Sequence, residues 1–233
     1  MALVECVPNF SEGRDTDVIA TIVEAIRQTD GAHVLDVSSD PSHNRTVVTF
    51  AASLSAAVPA ALAAMRVARD RIDLTKHQGA HPRIGATDVV PFIPLEGATM
   101  ADCIALANDL GRRAFSELSV PVYLYERAAT VPARENLADV RRGEFEGLRD
   151  EVRTNAARKP DFGNAELHPT AGATAVGARP FLVAYNVYLG DKSNLAVAKA
   201  VAKAVRGSSG GLRFVKGLGL EVDGQAQVSM NLV

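Results

Sequence analysis

The chain has no tryptophan, only two cysteines, Cys6 and Cys103, and no surplus of either charge: 25 Lys and Arg stand against 27 Asp and Glu, a net of −2. Two thiols without CxxC spacing cannot make a disulfide scaffold, so both are expected to be buried and reduced. The balanced charge excludes an electrostatic grip on nucleic acid or an anionic membrane and favours a small-molecule substrate. No apolar run approaches the roughly 20 residues of a membrane span, and the opening MALVECVPNFSEG has neither a basic start nor a long apolar stretch. The chain therefore reads as cytoplasmic, and the sequons at Asn9 and Asn44 read as chance matches. Phosphate-binding P-loops and GxGxxG fingerprints are missing too. Asp161-Phe162-Gly163 has the letters of a kinase motif without its companions, the strand lysine and the catalytic loop.

What is present is 47% hydrophobic residues over 233 positions, enough for one large domain or two small ones. Residues 3–9 read as a short buried strand. Asp15 or Asp17 then caps a helix in which Val18, Ile19, Ile22, Val23 and Ile26 recur at helical spacing. The β-branched runs 33–38 and 45–51 read as a strand pair joined by the turn SDPSHN. An Ala-rich helix over 55–71 tolerates Pro59 only in or near its first turn. The strand 89–95 completes a βαββαβ order. Thr99, with Asp102 three residues on, starts a helix to about Leu118, and the strand 120–126 adds an αβ unit to the same sheet. From 127 to 178 the chain reads as an irregular linker holding a binding loop, with short helices near 135–141 and 144–152. A second segment follows: strand 181–189, a Ser193-capped helix with Ala198, Val201, Ala202 and Val205, and strands 212–222 and 225–232. Its βαββ order leaves one sheet face half covered.

Chemistry concentrates in 76–95, KHQGAHPRIGATDVVPFIPL, where His77, His81, Arg83 and Asp88 crowd a broken loop that leads into a buried strand. His77 and His81 have the i, i+4 spacing of a zinc helix, but Gly79 and Pro82 argue against a helix there and no third ligand follows, so no metal is expected. A histidine beside Arg and Asp suits general acid/base work; pinning the loop by hydrogen bonds is the competing reading. The turn DPSHNRT offers Asn44 and Arg45, whose planar fork suits a carboxylate, although ordinary turn chemistry also explains these residues. In 160–180, PDFGNAELHPTAGATAVGARP, bare backbone at the glycines lets a flat ligand approach; a flexible linker is the alternative. Tyr123 and Tyr125 share one face of their strand and read as core, and RRGEFEGL (141–148) reads as a solvated, charged helix end broken at Gly143.

Taken in order, VECVPNFSEG, DPSHNRTVVTF, HQGAHPRIGATDVVPFIPL, PVYLYERAA, RRGEFEGL, PDFG with HPTAGATAVGARPFLVAYNV, and QVSMNLV resemble the glutamate formiminotransferase family over nearly the whole chain. The resemblance implies an α+β protein of two ferredoxin-like (βαββαβ) subdomains, 1–178 and 179–233. The first is extended by an αβ unit and carries a folate loop within 160–178. The second is incomplete, since family members continue by a further helix and strand. It also implies a homodimer, no tightly bound cofactor, and tetrahydrofolate as co-substrate.

The family's HPR(M/I)GA motif falls on His81, which inherits the acid/base role. The folate-contacting loop matches Gly163, Asn164, Ala165, Glu166, Leu167, His168, Pro169, Thr170, Ala171 and Gly172. The implied reaction moves a formimino group from N-formimino-L-glutamate to tetrahydrofolate. From residue chemistry alone, Arg45 and Arg83 are expected to neutralise carboxylates, Asn44 to contact substrate, and Asp88 to orient the imidazole. Two other readings stay open: a family member using 5-formyltetrahydrofolate as donor, and a noncatalytic folate-binding subunit.

Overall fold

The computed structural model describes residues 2–222 and 224–232. They form a mixed α+β structure in two compact units, the first running to Arg179 and the second beginning at Pro180.

In the first unit β1 (Leu3–Cys6) and β2 (Asn9–Phe10) lie end to end, each paired antiparallel with the same two neighbours. The single strand expected over 3–9 is interrupted at Val7-Pro8, because proline has no N–H to give to the ladder. α1 (Thr16–Arg27) is capped by Asp15, whose carboxylate accepts from the Asp17 and Val18 amides at 3.0 and 3.1 Å. Its stripe of Val18, Ile22, Val23 and Ile26 is buried. β3 (Ala32–Asp40) and β4 (Arg45–Ser53) follow as a hairpin. Burial alternates strictly along β4, with Thr46, Val48, Phe50 and Ala52 inward. α2 (Leu54–Arg71) begins after Ser53, so Pro59 is its sixth residue, in the second turn. The helix forgoes the bond to the Ser55 carbonyl there and keeps its place through a nearly continuous buried alanine face.

β5 (Thr87–Pro94) is buried along almost its whole length. α3 (Met100–Leu118) opens with the expected Thr99–Asp102 capping box, and β6 (Val122–Glu126) follows. α4 (Leu137–Val140) and α5 (Glu144–Glu151) come next. The reading of 127–178 as a linker is corrected by β7 (Thr174–Ala178), a fully buried strand inserted between β5 and β6 and parallel to both. The sheet order is β3–β4–β1/β2–β5–β7–β6. α1, α2 and α3 pack side by side against the sheet, and Phe10, Phe50 and Phe92 fill the space between. Burying such side chains contributes about 1.5–3 kcal/mol each. Cys6 and Cys103 are buried free thiols in this core, and burial pushes both up, Cys103 to about 11.

The second unit has β8 (Val183–Asp191), α6 (Leu195–Val205), β9 (Val215–Val222) and β10 (Gln225–Leu232), with β10 central in an antiparallel sheet. Ser193 does not cap α6. Asp191 accepts from the Ser193 amide at 2.8 Å in a short 3-10 turn, and the helix starts two residues later. Ala198 and Ala202 pack on Ala226 and Val228, whereas Val201, expected in the buried stripe, is exposed.

Candidate functional site

One end of the first sheet gathers the chemistry. Phe10 of β2 pairs with Thr46 of β4 on one side and Thr87 of β5 on the other, so Asn9, Arg45 and the loop entering β5 converge there. Asp40 tightens the 41–44 turn by accepting from the Ser42 and His43 amides at 2.7 and 2.9 Å, which lowers its own pKa. Asn44 takes the left-handed conformation, φ 50°, and staples three segments: its Oδ1 accepts from the Gly13 amide at 2.9 Å and its Nδ2 donates to the Gln78 carbonyl at 3.1 Å. Gly79 lets the loop lie flat on this turn, since a Cβ there would meet the His43 carbonyl oxygen at 2.3 Å.

His81 is half-buried, and its Nε2 meets Arg45 Nη1 at 3.0 Å. A guanidinium has no acceptor, so Nε2 receives the hydrogen bond and the ring proton sits on Nδ1. Desolvation first, then the charges of Arg45, Arg141 and His43, lower the imidazole to about 3, while a backbone hydrogen bond at Pro82 opposes the shift. The ring is neutral at physiological pH. The same Arg45 nitrogen donates to Asn9 Oδ1 at 3.0 Å. Among the described residues its Nε and Nη2 hydrogens have no partner and no carboxylate forms an ion pair with it.

The other charged residues of the loop are occupied. Asp88 was expected to orient His81; instead its carboxylate accepts from the Ile84 amide at 2.8 Å and pairs with Arg141. Arg83 was expected to meet a substrate carboxylate, but it is 8% exposed and held by Glu146 at 2.7 and 2.9 Å and Glu144 at 2.8 Å. These bonds, Glu146 first, raise its pKa. Its Nε donates to His77 Nδ1 at 3.2 Å, so His77 carries its proton on Nε2 and donates to the Asn44 carbonyl at 3.0 Å. The two histidines thus hold opposite tautomers and serve different partners. Asn44, expected near substrate, has both amide groups engaged by the protein.

The 163–172 segment is ordered by its own backbone and rests beside the site loop. His168 and Gly172 exchange backbone hydrogen bonds at 3.0 Å, and His168 Nδ1 accepts from the Ala171 amide at 3.0 Å. Ala171 and Thr170 accept from the Ala86 and Leu74 amides at 2.9 and 2.8 Å. Asn164, Glu166, Leu167, His168 and Pro169 line a cleft of about 980 Å³ with Phe115, Arg149 and Arg153. Its lining includes none of the residues around His81.

Residues 3–179 match the formiminotransferase domain, N-terminal subdomain. The chain belongs to the formiminotransferase family. Glutamate formimidoyltransferase from Streptococcus pyogenes serotype M1 is 45% identical over 233 residues, covering 99% of this chain and 77% of that protein. The Thermoplasma acidophilum enzyme of the same name is 48% identical, over 100% and 77%. Formimidoyltransferase-cyclodeaminase of Dictyostelium discoideum is 48% identical across 99% of this chain and 44% of its own length.

In this chain the RRGEFEGL segment is more than a solvated helix end. Arg141 neutralises the buried Asp88, and Glu144 and Glu146 saturate Arg83. Their opposite charges were visible in the sequence, but partners 53 to 63 residues apart were not. Tyr123 and Tyr125 are core as expected: Tyr123 donates to the Arg158 carbonyl at 2.6 Å, and burial pushes it to about 12. Among the described residues no helix is long and apolar enough to cross a membrane.

Proposed function

We propose that this chain is a glutamate formimidoyltransferase, moving the formimino group of N-formimino-L-glutamate to N5 of tetrahydrofolate and releasing L-glutamate. The observation that carries the reading is near full-length likeness to two enzymes of that name. The geometry at His81 fits it. As N5 attacks the amidine carbon, the new C–N5 bond forms and the C–N bond to glutamate breaks, so one proton must travel from N5 to the departing glutamate nitrogen. A neutral imidazole is built to carry that proton, a role typically contributing ~10²–10⁴-fold. The open Nε/Nη2 edge of Arg45 suits a glutamyl carboxylate.

The rest of the reading follows the family. The 163–172 loop contacts folate, supported by its place on a cleft of adequate size. Tetrahydrofolate is a co-substrate, and no cofactor or metal is permanently held. The strand order β5–β1/β2–β4–β3, with α1 and α2 between strands, supports a ferredoxin-like subdomain extended by α3, β6 and β7. Residues 1–178 and 179–233 are the two subdomains of a cytoplasmic homodimer.

The test is single-turnover transfer from N-formimino-L-glutamate to tetrahydrofolate, with His81→Ala alongside. Product from the wild type and a drop of ~10²-fold or more in the variant is expected. A folded wild type that makes no product sinks the reading, and product only from 5-formyltetrahydrofolate would reassign the donor.

A further inference from the structure

A proton shuttle needs a free lone pair, and in His81 the only one, on Nε2, already accepts from Arg45 at 3.0 Å. Nothing reacts at that nitrogen until the guanidinium loosens. Arg45 is also unusually placed to be moved. Among the described residues its Nε and Nη2 hydrogens have no partner and no carboxylate forms an ion pair with it; burial first, then the second guanidinium Arg141, disfavour its charge against the opposing pull of Asp88 and Asp40. Every charged group facing the ring enters the balance: Arg45 on β4, Arg141 after α4, and His43 on the turn, its ring centroid 6.1 Å away. Of the nearby carboxylates, Asp88 is paired with Arg141, and Asp40 accepts from the Ser42 and His43 amides and contacts the His43 ring at 2.9 Å, so neither pairs with Arg45.

We infer that Arg45 is a carboxylate-operated control on His81: a glutamyl-type carboxylate seated on the open Nε/Nη2 edge neutralises the guanidinium, releases Nε2 and lets the imidazole accept a proton. The proposed transferase reaction supplies the identity of that carboxylate, while the control itself depends only on the Arg45–His81 contact. Without donor the imidazole is held unreactive; donor binding both positions the substrate and arms the base. An added anion near a titratable pair favours the cationic form by the same Coulombic logic that now opposes it.

The test is a pH titration of the histidine ring nitrogens by NMR in the full ¹⁵N-labelled chain, with and without saturating L-glutamate, His81 being assigned from the His81→Gln spectrum. In the glutamate-free protein His81 is expected to keep its Nδ1–H tautomer down to about pH 5, and glutamate is expected to raise its midpoint by at least about 1 pH unit. Arg45→Gln is expected to raise the midpoint without glutamate and abolish the response, and Arg45→Lys, which keeps the charge, to restore part of it. If Arg45→Gln fails to fold, the two wild-type titrations still decide. A ring already titrating near its ordinary 6.5 without glutamate, a glutamate-saturated protein with an unchanged ring, or absence of glutamate binding by calorimetry overturns the inference. The transfer assay separates the two ideas. Product with an unchanged ring rejects the control and keeps the transferase, and a shifted ring without product does the reverse.

Discussion

Arg83 and Arg45 each grip one histidine of the same short loop, yet their surroundings are opposite. Around Arg83, Glu144, Glu146 and His77 take four of the five guanidinium hydrogens, and the side chain is buried. Around Arg45, among the described residues, only one nitrogen is engaged, by neutral groups, and the remaining edge is open. The difference teaches that residue type does not assign a role. What decides is how many donors remain after the protein has satisfied its own carboxylates: Arg83 is spent on building the loop, and Arg45 keeps donors that no described residue takes.

The sharpest way to break that comparison is the pair Arg83→Met and Arg45→Met. Arg83→Met should lower unfolding free energy by about 2–3 kcal/mol in urea titrations, because Glu146 and His77 lose charge-assisted bonds. Arg45→Met should leave stability nearly unchanged and cut kcat/KM for the formimino donor by roughly 10–100-fold, the equivalent of about 1.5–3 kcal/mol. Equal stability losses, or a donor effect from Arg83 alone, would merge the two roles. Gly79→Ala tests whether both regions share one scaffold: a Cβ 2.3 Å from the His43 oxygen forces the loop off the turn, and about 1–3 kcal/mol of destabilisation together with lost transfer is expected.

Acid provides a gentler probe. The unfolded chain protonates His81 near 6.5, the folded chain only near 3, so the unfolded state binds more protons between those values and stability falls as pH drops through that window. His81→Gln should flatten that part of the stability curve measured by thermal unfolding. The smallest effect is expected for Glu144→Gln on the Arg83 side. This half-exposed carboxylate contributes one of several bonds, and a loss within about 0.2–1 kcal/mol by denaturant titration is expected.

Much of this was legible beforehand where signals are local. Asp15 and the Thr99–Asp102 box cap helices within four residues, and the inward set of β4 alternates with strand periodicity. β7 escaped because Thr-Ala-Val-Gly-Ala is mostly small residues with weak strand preference, chosen instead to fit between two strands, as Gly177 does against the Tyr125 ring. The strand expected over 3–9 overlooked that Pro8 has no N–H for the ladder, and Ser193 was read by residue type whereas Asp191 takes its amide. At the site, His81 and Arg45 were singled out by residue type, with no sign in the sequence that they touch. Asp88, Asn44 and Arg83 were placed near substrate because their partners, Arg141, Gly13, Glu144 and Glu146, come from segments that only folding brings near.

The Asn44 staple has a mechanical consequence. One side chain ties the Gly13 amide to the Gln78 carbonyl, so the strip carrying Arg45 and the strip carrying His81 are hinged on a common pin. The Gly13 amide proton is therefore a built-in clock: its exchange with deuterated solvent can proceed only when the Asn44 Oδ1 bond opens, and its rate reports how often that side of the pin lets go.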